Sequence, residues 1–257
     1  MFLILFCISL LGGFLSGLLG IGGAVILIPL MLTLPQLFGI GALSMKSVAG
    51  LSMVQVLFAS ISGMAVHRKN RMVHFQSQYT IGIPMGLFSL SGAYLSKFMS
   101  NYLIMIIFFL IVLLALFMLI LYKDDRREEI PDKIRVNSPL ALAAGVFTGT
   151  FSGIVGAGGG FILIPIMITV LKLPVRLAVG TSLGVVFIGA LLGSIGKIVS
   201  LQVDFLLVIP VIIGSLAAAQ IGARVSRKLT TKMLRVLLII TIILTLLQVI
   251  SKLVGLS

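Results

Sequence analysis

The sequence predicts an all-α polytopic membrane protein of two inverted repeats, with broken or re-entrant helices at a glycine motif in each. Three observations carry this. Hydrophobic residues make up 60% of the 257 and charged ones only 10%; with a mean hydropathy of +1.28, that excludes an ordinary soluble domain. One motif occurs twice: Ser16-Gly17-Leu18-Leu19-Gly20-Ile21-Gly22-Gly23 with Pro29 following, and Ser152-Gly153-Ile154-Val155-Gly156-Ala157-Gly158-Gly159 with Pro165 following. Finally, equivalent loops of the two halves differ in basic charge.

Apolar segments fall at about 2–20, 24–34, 42–66, 76–96 and 101–122, and again at 139–156, 160–171, 175–197, 203–223 and 231–250. Most approach the roughly 20 residues that span a hydrocarbon core. Met1 to Leu11 has no Lys or Arg ahead of its apolar run, so the first segment reads as a membrane helix and not as a cleaved signal peptide. Segments 24–34 and 160–171 cover about half a membrane at 1.5 Å per residue. Each therefore reads as the returning arm of a re-entrant pair. The expected organisation is a first repeat at 1–122, a cytoplasmic polar linker at 123–138 and a second repeat at 139–257.

The second half repeats the first. Gly20 matches Gly156 at an offset of 136, while Gly92-Ala93 matches Gly222-Ala223 and Ser96-Lys97 matches Ser226-Arg227 at 130. The loop after the third segment carries Arg68, Lys69 and Arg71, whereas its counterpart has only Lys197 at its edge. One loop later the bias reverses, with Lys97 in the first half against Arg224, Arg227, Lys228, Lys232 and Arg235 in the second. By the positive-inside rule, equivalent loops then lie on opposite faces. Placing the linker in the cytoplasm puts 15 of 19 basic residues inside, with Lys46, Lys97, Lys197 and Lys252 outside. Both termini are then expected outside an inner, plasma-type membrane.

The charge of +13 does not point to nucleic acid, because the basic residues flank apolar segments. Five of the six acids (Asp124, Asp125, Glu128, Glu129 and Asp132) lie in the linker, leaving Asp204 elsewhere. No carboxylate pair for acid–base work and no acidic cage for a cation is in prospect. The two His, one Cys and lone Asp204 are too scattered for an enzyme centre. Cys7 reads as a packing residue, and no cofactor is expected.

A small anion is the natural ligand. A helix starting after Gly22-Gly23, or after Gly158-Gly159-Gly160, offers unpaired N–H groups and the positive end of its dipole. Two such ends facing each other would hold an anion without a charged side chain. Gly13 with Gly17, and Gly149 with Gly153, have the spacing of small-residue helix packing. Lys46-Ser47-Val48 is taken as the counterpart of Gly180-Thr181-Ser182, so Ser47, Thr181 and Ser182 are candidate hydroxyl donors. Lys46 and Arg176, early in their long helices, read as interfacial residues or cations guarding the path. Gln55 and Gln220, amides deep in apolar segments, either line the pathway or bond between helices. His67 and His74 flank the basic loop as solvated residues.

The doubled motif, together with Gly180-Thr181-Ser182-Leu183, resembles the TauE/SafE family of membrane permeases, also described as sulfite exporters, across essentially the whole chain. The resemblance implies transport of small sulfur-containing anions such as sulfite or organosulfonates. The first half departs from the pattern at Ala24, where the second has Gly160. The expected function is an anion permease working by alternating access. A passive anion channel is the alternative within transport, and a membrane assembly or scaffold protein the one outside it. The partners are a small anion and the lipid bilayer, with room for a homo-oligomer and for proton or sodium coupling.

Overall fold

The computed structural model describes residues 1–68, 75–121 and 137–254. The side chains of His67 and Arg68, the loop 69–74 with Lys69, Arg71 and His74, and the linker to residue 136 with its five acids lie outside the described residues. Helices follow one another throughout: α1 (Phe2–Leu19), α2 (Ala24–Leu37), α3 (Met45–Arg68), α4 (Phe75–Leu95), a 3₁₀ turn (Ser96–Phe98), α5 (Asn101–Leu121), α6 (Ser138–Val155), α7 (Gly160–Thr169), α8 (Val175–Val199), α9 (Phe205–Ser226) and α10 (Thr231–Leu253). Among the described residues there is no strand.

Among the described residues, seven helices are long and apolar enough to cross a membrane: α1, α3, α5, α6, α8, α9 and α10. Helix α4 has 21 residues, but Gln76, Ser77, Gln78 and Thr80 in its first turns lower its hydropathy. Helices α2 and α7, with 14 and 10 residues, are too short to span about 30 Å at 1.5 Å per residue.

Burial sorts the bundle into centre and rim. In α3 and α8, 72% of the spanning window is buried, against 33% in α5 and 39% in α10. The two long helices therefore form the centre and pack on each other, while α5 and α10 face outward. Around the centre, α1 runs along α9 and α4 along α6; α4 also lies on α8 and α9 on α3. The short helix α2 rests on α10, and α7 on α5. Each of these contacts between halves has a counterpart with the halves exchanged.

Small residues let the backbones approach where hydrocarbon gives no solvent-driven attraction between helices. Gly17 packs on the carbonyl of Ala219 and Gly222 on that of Phe14. On the other side, Gly153 packs on the carbonyl of Ser89 and Gly92 on that of Thr150. A Cβ at any of these positions would strike main chain.

The prolines of α2 and α7 cannot donate to the carbonyl four residues back. Thr33 Oγ1 donates to the carbonyl of Pro29 at 2.9 Å, and Thr169 Oγ1 to that of Pro165 at 2.8 Å. The carbonyl of Val25, left without its helical donor by Pro29, accepts from Thr245 Oγ1 of α10 at 3.1 Å. That bond ties a short inner helix to the rim.

Candidate functional site

Each glycine motif ends one helix and begins another. Helix α1 stops as Gly20 donates its N–H to the Ser16 carbonyl at 2.9 Å, and α6 stops the same way, from Gly156 to Ser152 at 2.8 Å. Gly23 (φ 71°) is the N-cap of α2 and Gly159 (φ 69°) that of α7. A left-handed residue at these points favours glycine over any L side chain. Neither N-cap supplies a side-chain hydrogen bond, whereas Asn137, Asp204 and Thr230 cap α6, α9 and α10. The starts of α2 and α7 thus keep N–H groups that the helix itself cannot satisfy.

The two motifs meet. A Cβ on Gly160 would stand 2.6 Å from the carbonyl oxygen of Ile21, and one on Gly22 would stand 3.6 Å from that of Ala157. Val56 of α3 lies between them, its Cγ1 against both Gly22 and Gly158. The uncapped starts of α2 and α7 are thereby brought to one buried point, where their dipoles favour negative charge.

Two serines hold the motifs from opposite halves. Ser182 Oγ of α8 donates to the carbonyl of Gly20 at 2.9 Å, and Ser52 Oγ of α3 donates to that of Gly156 at 2.6 Å. Each also reaches the carbonyl three residues back in its own helix, Val179 at 2.9 Å and Ala49 at 3.2 Å. Ser52 and Ser182 are related by the same offset of 130 that relates Gly50 to Gly180.

Several polar atoms at this centre are buried without a partner: both amide atoms of Gln55 and the hydroxyls of Ser16 and Ser152. Ser16 and Ser152 open the two motifs. Ser152 Oγ lies 3.3 Å from where a Gly159 Cβ would be, and Gln55 Nε2 lies 3.5 Å from the equivalent point on Gly12, whose carbonyl abuts Gly23. A buried amide or hydroxyl without a partner costs about 1–3 kcal/mol, so these groups are poised for a ligand or water.

The structure brings Gly22, Gly23, Gly158, Gly159 and Gly160 together, with Ser182 of α8 on Gly20 and Thr181 fully buried in the same helix. It places Ser47 elsewhere. That residue is half-buried in the first turn of α3, its hydroxyl 2.9 Å from that of Ser44. The true counterpart of Gly180-Thr181-Ser182 is Gly50-Leu51-Ser52, which the offset of 130 would have identified. Gln55 is at the centre, but Gln220 is exposed on the outer face of α9. Lys46 donates to the carbonyl of Lys97 at 2.8 Å. Arg176 donates to the carbonyl of Leu229 at 3.0 Å and to Thr231 Oγ1 at 3.4 Å. Both cations pin helix starts at the bundle ends, away from the glycine motifs. Among the described residues no three His, Cys, Asp or Glu side chains come together.

A family profile described as sulfite exporter TauE/SafE matches residues 5–249. The chain is similar to the probable membrane transporter protein YdhB of Bacillus subtilis, at 31% identity over 85% of this chain and 88% of that one. It is also similar to the probable membrane transporter protein MJ0441 of Methanocaldococcus jannaschii, at 30% identity over 83% and 85% of the two chains. YunE of Bacillus subtilis, with the same description, is 26% identical over 83% and 84%. No solved structure matches.

Proposed function

The chain belongs to the sulfite exporter TauE/SafE family of membrane transporters, and on that premise we propose that it carries small sulfur-containing anions, sulfite or organosulfonates, through the point where α2 and α7 begin. The observation that carries the reading is the meeting of two uncapped helix starts beside the unpartnered side chains of Gln55, Ser16 and Ser152. Main-chain N–H groups after Gly22-Gly23 and Gly158-Gly159-Gly160 bind the anion, and the side-chain amide of Gln55 and the Ser152 hydroxyl add donors. The buried surroundings strengthen each of these interactions relative to water.

The same arrangement supports alternating access. The halves, divided at the linker 123–138, are inverted relative to each other, and rocking one against the other exposes the centre to each face in turn. Two features favour this. The packing partners are exchanged between halves, and the crossed bonds of Ser52 and Ser182 let each long helix move the other half's motif. The outward positions assigned to Lys46, Lys97 and Lys197 fit their meeting at one corner of the bundle.

The test is thermal stabilisation of the detergent-purified protein by sulfite, sulfate, sulfoacetate, taurine, acetate, phosphate and chloride, since a ligand of the folded state raises its stability by mass action. A selective shift with a sulfur anion, followed by saturable counterflow in liposomes, is the expected result. No shift with any sulfur anion would overturn the substrate class, and flux without counterflow would replace the carrier with a channel.

A further inference from the structure

Ser89, in the middle of α4, is completely buried, and its hydroxyl has no partner among the described residues. A serine or threonine in a membrane helix ordinarily returns its hydrogen to a carbonyl one turn back. Thr80 and Ser91 of the same helix do so, to Gln76 at 2.9 Å and Leu87 at 3.2 Å. Ser89 instead turns its oxygen across to α8, against the point where a Cβ of Gly193 would stand. A buried hydroxyl without a partner is costly, and packing alone would favour alanine. Alanine is what the offset of 130 places there in the other half, at Ala219. The hydroxyl of Ser89 thus calls for a ligand.

Two buried methionines close the seam around it. Met85, one turn before Ser89, has its Cε 2.7 Å from the Cβ point of Gly159 and 2.8 Å from that of Gly189. Its methyl therefore stands between the N-cap of α7 and the face of α8. Met53 of α3 covers Ser89 from the other side, with Cε 2.7 Å and Sδ 3.1 Å from the Cβ point of Gly193. Gly189 and Gly193 share one face of α8 with Lys197, at intervals of four residues. At the far end of the seam Lys197 donates to Ser96 Oγ at 2.7 Å, Gln202 Oε1 at 2.9 Å and the carbonyl of Ile154 at 3.1 Å. The equivalent seam between α9 and α3 is built differently. Leu183 replaces Met53, its Cδ1 3.2 Å from the Cβ point of Gly63. Ser215 replaces Met85 and donates to the carbonyl of Ile212 at 2.9 Å.

We propose that Ser89 is a second station for the transported anion, reached from the glycine motifs when the side chains of Met85 and Met53 rotate aside; the inference rests on the central site proposed above. Methionine is unbranched, so its end can swing without a backbone shift. The two glycines of α8 leave the space into which a small sulfur oxyanion then fits. Ser152, beside Gly159, and Ser89 offer successive hydroxyl hydrogens to its oxygens. A single neutral donor holds the ion weakly, as a station on a path must. In the closed seam the thioether of Met53 covers that donor.

The experiment places a thiol at the station in the full chain, as Ser89→Cys with the exposed Cys7 changed to serine. The probe is 2-sulfonatoethyl methanethiosulfonate, itself a small sulfonate; the thiolate attacks its sulfenyl sulfur, forms a disulfide and releases methanesulfinate. It should react at least tenfold faster than the trimethylammonium reagent of similar size, and at least fivefold more slowly under saturating sulfoacetate, taurine or sulfate. No reaction, equal rates for the two reagents, or protection by none of the three anions overturns the station. Should Ser89→Cys not fold, Met53→Cys serves instead, with the same expected and overturning results. Met53→Leu conserves volume and copies the Leu183 side. It should slow sulfite counterflow in liposomes at least fivefold with sulfite affinity within threefold, and an unchanged rate overturns the gate. Thermal stabilisation by sulfur anions in a protein whose introduced thiol is unreactive would overturn the station and leave the central site standing. No stabilisation by any of them would overturn both.

Discussion

Ser52 of α3 donates its hydroxyl hydrogen to the carbonyl of Gly156 at 2.6 Å, so the first half's central helix holds the second half's helix break. Ser182 does the reverse with Gly20. A hydroxyl has one hydrogen, and here it is directed at main-chain carbonyls. What Ser182 presents to its other side is lone pairs, which repel an anion. Its part is to position the glycine motif; binding falls to groups with free donors.

Replacing Ser52 or Ser182 with alanine should therefore cost stability more than affinity. Each change strands a buried carbonyl, an effect of about 1–3 kcal/mol. Thermal denaturation in detergent should show the loss for both variants, with anion affinity changing less than threefold. A tenfold loss of affinity at unchanged stability in Ser182→Ala would return that residue to the ligand shell.

Gln55 should behave in the opposite way. Both of its amide atoms are buried and unpartnered, so Gln55→Leu removes a desolvation cost of about 1–3 kcal/mol. The variant should melt higher than the parent and bind the anion at least tenfold more weakly. A gain in stability with full affinity would make Gln55 an unused polar residue. A loss of stability would mean that the amide has a water partner in the resting state.

Much of this arrangement was legible in the sequence. Segment limits agree with the helices to within a few residues because hydropathy, Gly20 and Gly156 mark the same ends the backbone uses. The pairing of Gly13 and Gly17 with α9, and of Gly149 and Gly153 with α4, gives the predicted spacing a partner. Orientation within a helix was not legible. In a bilayer both the lipid and the core are apolar, so the pattern around Gln220 does not tell an outward face from an inward one. Ser47 was matched to Thr181 by hydroxyl chemistry, although the offset of 130 selects Ser52. Lys197 looked like a boundary residue because lysines near helix ends ordinarily reach for water. Its acceptors come from Ser96, Ile154 and Gln202, which no local pattern connects.

Thr245 offers a control whose hydroxyl hydrogen is already directed at main chain. Its hydroxyl satisfies the Val25 carbonyl that Pro29 leaves without a helical donor. Thr245→Val keeps the shape and removes the donor, and should destabilise the fold by about 1–2 kcal/mol with anion affinity unaltered. An affinity loss beyond threefold would show that the start of α2 is set from α10 as well as from α8.

Val56 makes the sharpest test of the central geometry, because its Cγ1 faces glycines from both motifs. A Cβ on Gly158 would run into that methyl, and the left-handed φ of 64° adds strain of roughly 1–2 kcal/mol for an L residue. Gly158→Ala should thus lose stability through two separable effects, steric and torsional. Pairing it with Val56→Ala removes the first and leaves the second. The double variant should recover part of the stability lost by Gly158→Ala, relative to Val56→Ala as its own background. That is a coupling energy of at least about 1 kcal/mol between residues more than a hundred positions apart. Additive effects would mean that α7 can draw back from α3 at little cost, and the two helix starts would not be held face to face as the anion site requires. Gly159→Leu, by contrast, places a large side chain on the N-cap itself and should abolish anion binding in protein that still reaches the membrane. Undiminished binding by that variant would remove the N-terminus of α7 from the ligand shell, whatever the coupling at Val56.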